Sequence, residues 1–350
     1  MYNGQKVIDV HGHMSTPPHY RAYAYNMVAL RTAEGALAIS NELMQTALDR
    51  HLKVMDERNI DLQMISPRPV AMMHWERPFL VEAWTRMTND IIHQQTLMHP
   101  TRYVGIAQLP QHISQDTSHC VAEFRRSVQE LGFVGALVNP DPNGDRQTPG
   151  MNAPYWFPLY EESQRLRAPL IVHPSISRDP RLDGIPHSYQ YNNITEEALA
   201  VLLLEHSDVF QRYPELRIVV CHCGGALDRT LGDRGRPSGE MGGGQVGMAT
   251  REPARTTDAP KRDISQNLLF DMCAYDGDFM ATAIRQRGVD RMLFGTEAPG
   301  SGTATLNPAT NRPSDDLIPV LEQMTFLSTE DKVKILRGNA LKYFPLLKVS

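Results

Sequence analysis

The sequence predicts an α/β chain of the (β/α)8 TIM-barrel class, organised as one domain over residues 1–350. Two observations predict it. Short apolar runs alternate with longer amphipathic stretches eight times, and no linker or short-period repeat divides the chain. Three long interruptions fall after strands, on the side where barrels build their sites. An open, doubly wound sheet is the alternative, because a strand count does not prove closure.

In order, residues 5–10 (QKVIDV) read as the first strand, and 17–39 as a long loop. Helix 44–58 precedes strand 62–66 (LQMIS). Helix 79–99 precedes strand 103–109, and helix 114–131 precedes strand 134–138. Helix 153–167 leads to strand 170–173 (LIVH), and a second long loop covers 179–193. Helix 195–206 precedes strand 217–221 (RIVVC), followed by a helix near 226–233. The third loop, 232–260, is rich in Gly, Arg and Pro. Strand 267–270, helix 278–286 and strand 291–294 complete the eight units.

Composition excludes several classes. Hydrophobic residues make up 41% and charged residues 21%, which are globular proportions. The net charge is −5, and no basic stripe is present, so nucleic acid is not an expected partner. No apolar run reaches the roughly 20 residues of a membrane span. The first residues, MYNGQKVIDVHGHM, lack a basic segment followed by an apolar stretch, so a cytoplasmic protein is expected. Cys120, Cys221, Cys223 and Cys273 make no disulfide framework and are expected as reduced thiols. Cys221 and Cys223 alternate along an apparent strand and read as packing or wall residues rather than a zinc pair.

The chemistry gathers at strand ends. In VIDVHGH at 7–13, residues two apart share a face, so His11 and His13 can hold one metal ion. Strand five ends in IVHP with His173, strand six in VCHCGG with His222, and strand eight in LFGTEAPG with Glu297. In a barrel these groups meet at one mouth, and packing does not require polar residues at four strand ends. His11, His13, His173 and Glu297 supply nitrogen and oxygen donors suited to zinc, and also to manganese or iron. His222 is the spare group, placed as acid/base beside an activated water.

These motifs resemble the amidohydrolase superfamily, in its amidohydrolase-2 branch of decarboxylases and hydratases. The matching segments are DVHGH at 9–13, IVHPS at 171–175, YPELRIVVCHCGGAL at 213–227, FGTEAPG at 294–300 and GNALKYF at 338–344. The resemblance implies a distorted barrel with one divalent metal held by His11, His13, His173 and the acid after strand eight, with His222 acting on substrate or water. Most members carry Asp after strand eight. Glu297, one methylene longer, resembles the 4-oxalomesaconate hydratase group, as does ISPRP at 65–69.

The expected reaction is therefore metal-dependent addition of water to an unsaturated oxo-polycarboxylate from aromatic-acid breakdown. The alternative is nonoxidative decarboxylation of a hydroxylated aromatic or muconate-type acid. Hydrolysis of a C–O or C–N bond ranks third, and a metal-free binding barrel fourth. A two-metal site is not expected, because the fourth strand ends with Asn139 where binuclear relatives carry a lysine. A small anionic carboxylate needs fixed cations, and Arg68 and Arg178 are the candidates. Tyr191, Asn192 and His74 are further substrate-binding candidates, and Tyr189, Tyr191 and Glu297 are candidate proton donors. His19, His51, His93, His99, His112, His119 and His206 receive no role. The Arg234 to Arg262 stretch reads as a lid or subunit contact, and the resemblance implies a homo-oligomer, dimer or larger.

Overall fold

The computed structural model describes residues 1–33, 37–186, 188–227 and 263–349. Eight strands lie side by side in chain order with every neighbouring pair parallel. They are β1 (Ile8–His13), β2 (Leu62–Ser66), β3 (Tyr103–Ala107), β4 (Gly135–Val138), β5 (Leu170–Val172), β6 (Ile218–Val220), β7 (Leu268–Asp271) and β8 (Met292–Leu293). Val10 donates its N–H to Phe294 at 2.8 Å, and Glu297 donates to His11 at 2.7 Å. These bonds join the last strand to the first and close the barrel. The open doubly wound sheet is thereby excluded.

Alternation sorts the strand side chains. Ile8, Val10, Leu62, Met64, Leu137, Ile171, Val219, Leu269 and Leu293 point inward and fill the barrel. Their neighbours Val7, Ile65, Val138, Leu170, Val172, Ile218 and Leu268 point outward into a second core beneath the helices. Each fully buried aliphatic side chain contributes about 1.5–3 kcal/mol, which fixes strand register. The helices around the sheet include α1 (Pro18–Leu30), α2 (Asn41–Glu57), α3 (Pro78–Met98), α4 (Cys120–Gln129), α5 (Phe157–Leu166), α6 (Ser188–Glu205), α7 (Val209–Arg212) and α8 (Gly277–Arg287). Ser40 caps α2 by accepting from Leu43 at 3.3 Å, and Asp276 caps α8 by accepting from Phe279 at 2.7 Å; such caps contribute about 1 kcal/mol each. Three short helices follow β8: α9 (Leu317–Gln323), α10 (Thr329–Val333) and α11 (Asn339–Tyr343). Ala340, Tyr343 and Phe344 pack among the inward-facing residues and plug the barrel.

Four sequence expectations need correction. The stretch 17–39 is not a loop: α1 occupies most of it, started by Pro18 and held by Tyr20, whose hydroxyl meets Thr88 at 2.9 Å and whose ring lies 4.5 Å from Trp84. The stretch 179–193 contains a turn at Pro180–Leu182 and the first turn of α6. The first strand does not end at Val10, because after an irregular register between Asp9 and Gly12 the strand resumes pairing with β2 at Gly12 and His13. Gly12 is required there, since a Cβ would lie 2.2 Å from the Gln63 side chain. Finally, Cys221 and Cys223 do not share a face. The strand ends at Val220, so Cys221 faces the barrel interior and Cys223 the outer core. The loop at 232–260, and the helix near 226–233 beyond Leu227, lie outside the described residues.

Candidate metal centre

The C-terminal ends of β1, β5, β6 and β8 bring His11, His13, His173, His222 and Glu297 together. Ring centroids of His11, His13 and His173 are 5.1–5.3 Å apart, and His222 lies 5.0 Å from His173 and 5.1 Å from His11. Donor atoms of His11, His173, His222 and Glu297 all lie within 4.8 Å of one another. His13 Nε2 joins them at 3.6 Å from Glu297 Oε1.

Each imidazole is oriented by a partner on its far nitrogen. His11 Nδ1 donates to the Asp271 carboxylate at 2.8 Å, and His173 Nδ1 donates to the Pro174 carbonyl at 2.7 Å. His13 Nδ1 meets Ser66 Oγ at 2.8 Å; that hydroxyl donates to the Gly12 carbonyl at 3.0 Å and so accepts from His13. In all three rings the proton is fixed on Nδ1 and the lone pair on Nε2. These three Nε2 atoms are buried, with no hydrogen-bond partner among the described residues. An uncompensated buried acceptor costs about 1–3 kcal/mol. Three converging on a carboxylate match the donor set of a divalent cation, with the outer hydrogen bonds that metal-binding histidines use.

The electrostatics agree with that donor set at His13, His173 and Glu297; at His11 burial opposes the charge, but the Asp271 carboxylate outweighs it and raises the pKa. Burial pushes His13 down to about 4 and, with the nearby rings, His173 well below the imidazole range, leaving both neutral. Burial works against the Glu297 charge, but the neighbouring imidazoles of His13, His222 and His11 hold its carboxyl well below the usual range. Burial also opposes charge on His222; the Glu197 carboxylate, 2.7 Å from its Nδ1, outweighs it and raises the pKa to about 10. Two site residues have left-handed backbones, His222 at φ 49° and Glu297 at φ 58°. Such residues cost roughly 1–3 kcal/mol each and persist where surrounding contacts hold them.

The other candidates fall at different places. Arg68 is partly buried beside the mouth; its guanidinium donates to the Pro299 carbonyl at 3.4 Å and feels the Glu297 charge. Asn192 is buried at the start of α6 and donates to the Ile176 carbonyl at 3.2 Å. Tyr189 and Tyr191 are 40% and 52% exposed, and Arg178 is exposed as well. His74 is no substrate wall: it is fully buried and donates to the Leu109 carbonyl at 3.0 Å. Met72 packs into the barrel interior and draws that loop inward. His51, given no role from sequence, lies on α2. It is buried against Gln63, at 2.6 Å.

Sequence reasoning missed several groups. Asp271 orients His11 and also accepts from the backbone N–H groups of His222 and Cys273, each at 2.9 Å. It ends NLLFD, a strand-end position like that of His173, so extending the strand by one residue would have found it. Glu197 sits inside a helix with no local motif. Tyr275 donates to Glu297 Oε2 at 3.2 Å. Gln63 donates to Asp9 Oδ2 at 2.8 Å and to the Ala298 carbonyl at 2.7 Å, tying β1 and β2 to the segment after β8.

Comparison with known proteins places this geometry. The amidohydrolase family matches residues 8–346. A 2-keto-4-carboxy-3-hexenedioate hydratase of a Sphingobium strain is 27% identical, over 97% of this chain and 96% of its own. A gamma-resorcylate decarboxylase of a Polaromonas strain is 29% identical, over 85% of this chain and 87% of its own. Among solved structures, 4-oxalomesaconate hydratase from Rhodopseudomonas palustris superposes with a TM-score of 0.75 at 24% identity, covering 97% of this chain and 96% of that one. A dihydroxybenzoic acid decarboxylase from Polaromonas, with bound manganese and 2-nitroresorcinol, gives 0.67 at 22% identity, covering 98% and 97%. No helix among the described residues is long and apolar enough to cross a membrane. With a strand-end His/Glu cluster suited to one divalent cation and a family match spanning nearly its whole length, the chain belongs to the amidohydrolase family and is an enzyme of that superfamily.

Proposed function

We propose that this enzyme is a zinc-dependent hydro-lyase that adds water across the conjugated double bond of an unsaturated oxo-polycarboxylate of the 4-oxalomesaconate type. The observation that carries the reading is the hydratase relative, aligned over nearly all of both chains. In this reading His11, His13, His173 and Glu297 hold the metal. Their bare Nε2 atoms and ionised carboxylate support the assignment. The bound metal would lower the pKa of water and polarise substrate oxygens.

This chain's own residues then divide the work. His222 Nε2 lies 4.0 Å from Glu297 Oε2, at the open side of the cluster. A divalent cation held beside it would oppose the charge on this ring, and the neutral ring would take the proton that water loses when its oxygen bonds to carbon. The neighbouring carbon receives a proton in turn, so that one H and one OH are added in all. Tyr275, hydrogen-bonded to Glu297, joins Tyr189 and Tyr191 as a candidate donor. Arg68 offers its planar fork to a substrate carboxylate beside the mouth. Arg68 together with a bound divalent cation would suit a small polyanion, whereas nucleic acid finds no basic stripe in this sequence.

Decarboxylation of a hydroxylated aromatic acid is the second reading, favoured by gamma-resorcylate decarboxylases of 29% identity over 85% of the chain. One paired assay separates the two. Metal-analysed protein is offered 4-oxalomesaconate and, separately, hydroxylated benzoates, while absorbance and carbon dioxide are followed. Loss of conjugated absorbance without carbon dioxide, abolished in Glu297→Ala, is the expected result. Carbon dioxide release from a benzoate overturns it.

A further inference from the structure

The geometry points to Glu197 as a positioning residue: from α6 it fixes the ring of His222 so that Nε2, and not Nδ1, is the nitrogen presented to the site. This rests on the reading of His222 as the acid/base group. The contact is direct, His222 Nδ1 to Glu197 Oε1 at 2.7 Å, and a carboxylate at that distance accepts the Nδ1 proton. Glu197 is fully buried, and its second oxygen has no hydrogen-bond partner among the described residues. A buried pair of this kind is weak evidence of a stabilising role, since replacing both members by well-packed apolar groups is often neutral or better. Its placement is better explained by what it does to His222.

The approach of α6 to the His222 turn is itself built into the sequence. His222, Cys223, Gly224 and Gly225 take φ values of 49°, 60°, 81° and 74° in succession. A Cβ on Gly225 would lie 2.5 Å from the Ile194 carbonyl oxygen, 2.9 Å from Ala198 N and 3.0 Å from Glu197 Cβ. The turn therefore seats against α6 more closely than any side chain permits, and Glu197 is on the turn of helix that meets it. His222 is held twice, its backbone N–H by Asp271 at 2.9 Å and its ring by Glu197. One tautomer and one ring plane result.

The test uses the metal-loaded enzyme with Glu197→Leu and Glu197→Gln. Leucine fills the space and accepts no proton; the glutamine oxygen still accepts. With 15N-labelled histidine, the wild-type protein should show a downfield Nδ1–H resonance that vanishes in His222→Asn, which assigns it, and in Glu197→Leu. The variant should keep its metal content. Its kcat should fall on the order of 100-fold with KM within about twofold, and Glu197→Gln should lose less. Persistence of the resonance in Glu197→Leu overturns the proposal, as does an unchanged kcat accompanied by a lower Tm. If the enzyme hydrates no tested substrate, kcat is read on the decarboxylation it does perform. The resonance still decides between positioning and packing, so failure of the hydratase reading is seen separately.

Discussion

Asp271→Asn tests the orientation of the metal centre without touching a proposed ligand. Asp271 is fully buried and uses both oxygens. Oδ2 accepts from His11 Nδ1 at 2.8 Å, and Oδ1 accepts from the N–H groups of His222 and Cys273 at 2.9 Å each. Asparagine has one accepting oxygen, so one side must face an NH2. If the NH2 faces the two backbone donors, both are left unsatisfied, at about 1–3 kcal/mol each. If it faces His11, the imidazole can satisfy it by moving its proton from Nδ1 to Nε2. The second arrangement costs less, so the variant should adopt it.

That arrangement removes the Nε2 lone pair that points to the cluster. Losing an outer partner of this kind typically lowers metal affinity 10–100-fold, which is about 1.4–2.7 kcal/mol. The measurement is competition for zinc and for manganese against a chelator of known affinity, on wild type and Asp271→Asn side by side. The apo-protein's Tm should change little, because the oxygen still serves both backbone donors. Equal metal affinity in the two proteins would refute the orientation argument. An apo Tm that collapses would show that the asparagine took the other pose.

Three further outcomes follow from the same geometry. Removing the metal by chelation should lower the Tm and restore it on readdition, since a ligand at 1,000 times its Kd contributes about 4 kcal/mol; an unchanged scan on metal-free protein would count against a resident metal. Arg68→Lys keeps the charge and loses the fork, so KM for a polycarboxylate should rise about tenfold with kcat largely kept, by steady-state kinetics. Gln63→Leu strands the Ala298 carbonyl and removes a donor to Asp9, so urea unfolding should show a loss of about 2–5 kcal/mol.

The barrel was legible because its strands are short, apolar and separated by helices, and that pattern leaves few topologies. The site was legible where donors sit at strand ends, as His11, His13, His173, His222 and Glu297 do. Closure was not legible, because it depends on two backbone bonds between distant segments. The α1 helix was hidden because its pattern is weakly amphipathic, and only Tyr20 and Met27 are buried on it. Glu197 reads in sequence as an ordinary helix acid; only the packing of α6 against a turn 25 residues later gives it a partner. His74 shows the converse. It sits beside a strand end by sequence, yet a loop that dips into the barrel buries it.

The buried polar groups behind β1 explain how the cluster can hold unusual backbone at Glu297. Asp9 points away from the barrel interior and accepts from His11 N at 2.9 Å, from Thr296 N at 3.2 Å and from the Thr296 hydroxyl at 2.6 Å, as well as from Gln63. Burial pushes its carboxyl up to about 6 against the pull of these bonds. Hydrogen bonds to a charged acceptor contribute about 1.5–3 kcal/mol each. Together they exceed the roughly 1–3 kcal/mol that a left-handed Glu297 costs. Thr296 is thus fixed to β1 on one side, and Glu297, the next residue, is tied to His11 by its own N–H at 2.7 Å. The backbone thus holds the carboxylate against His11 and His13.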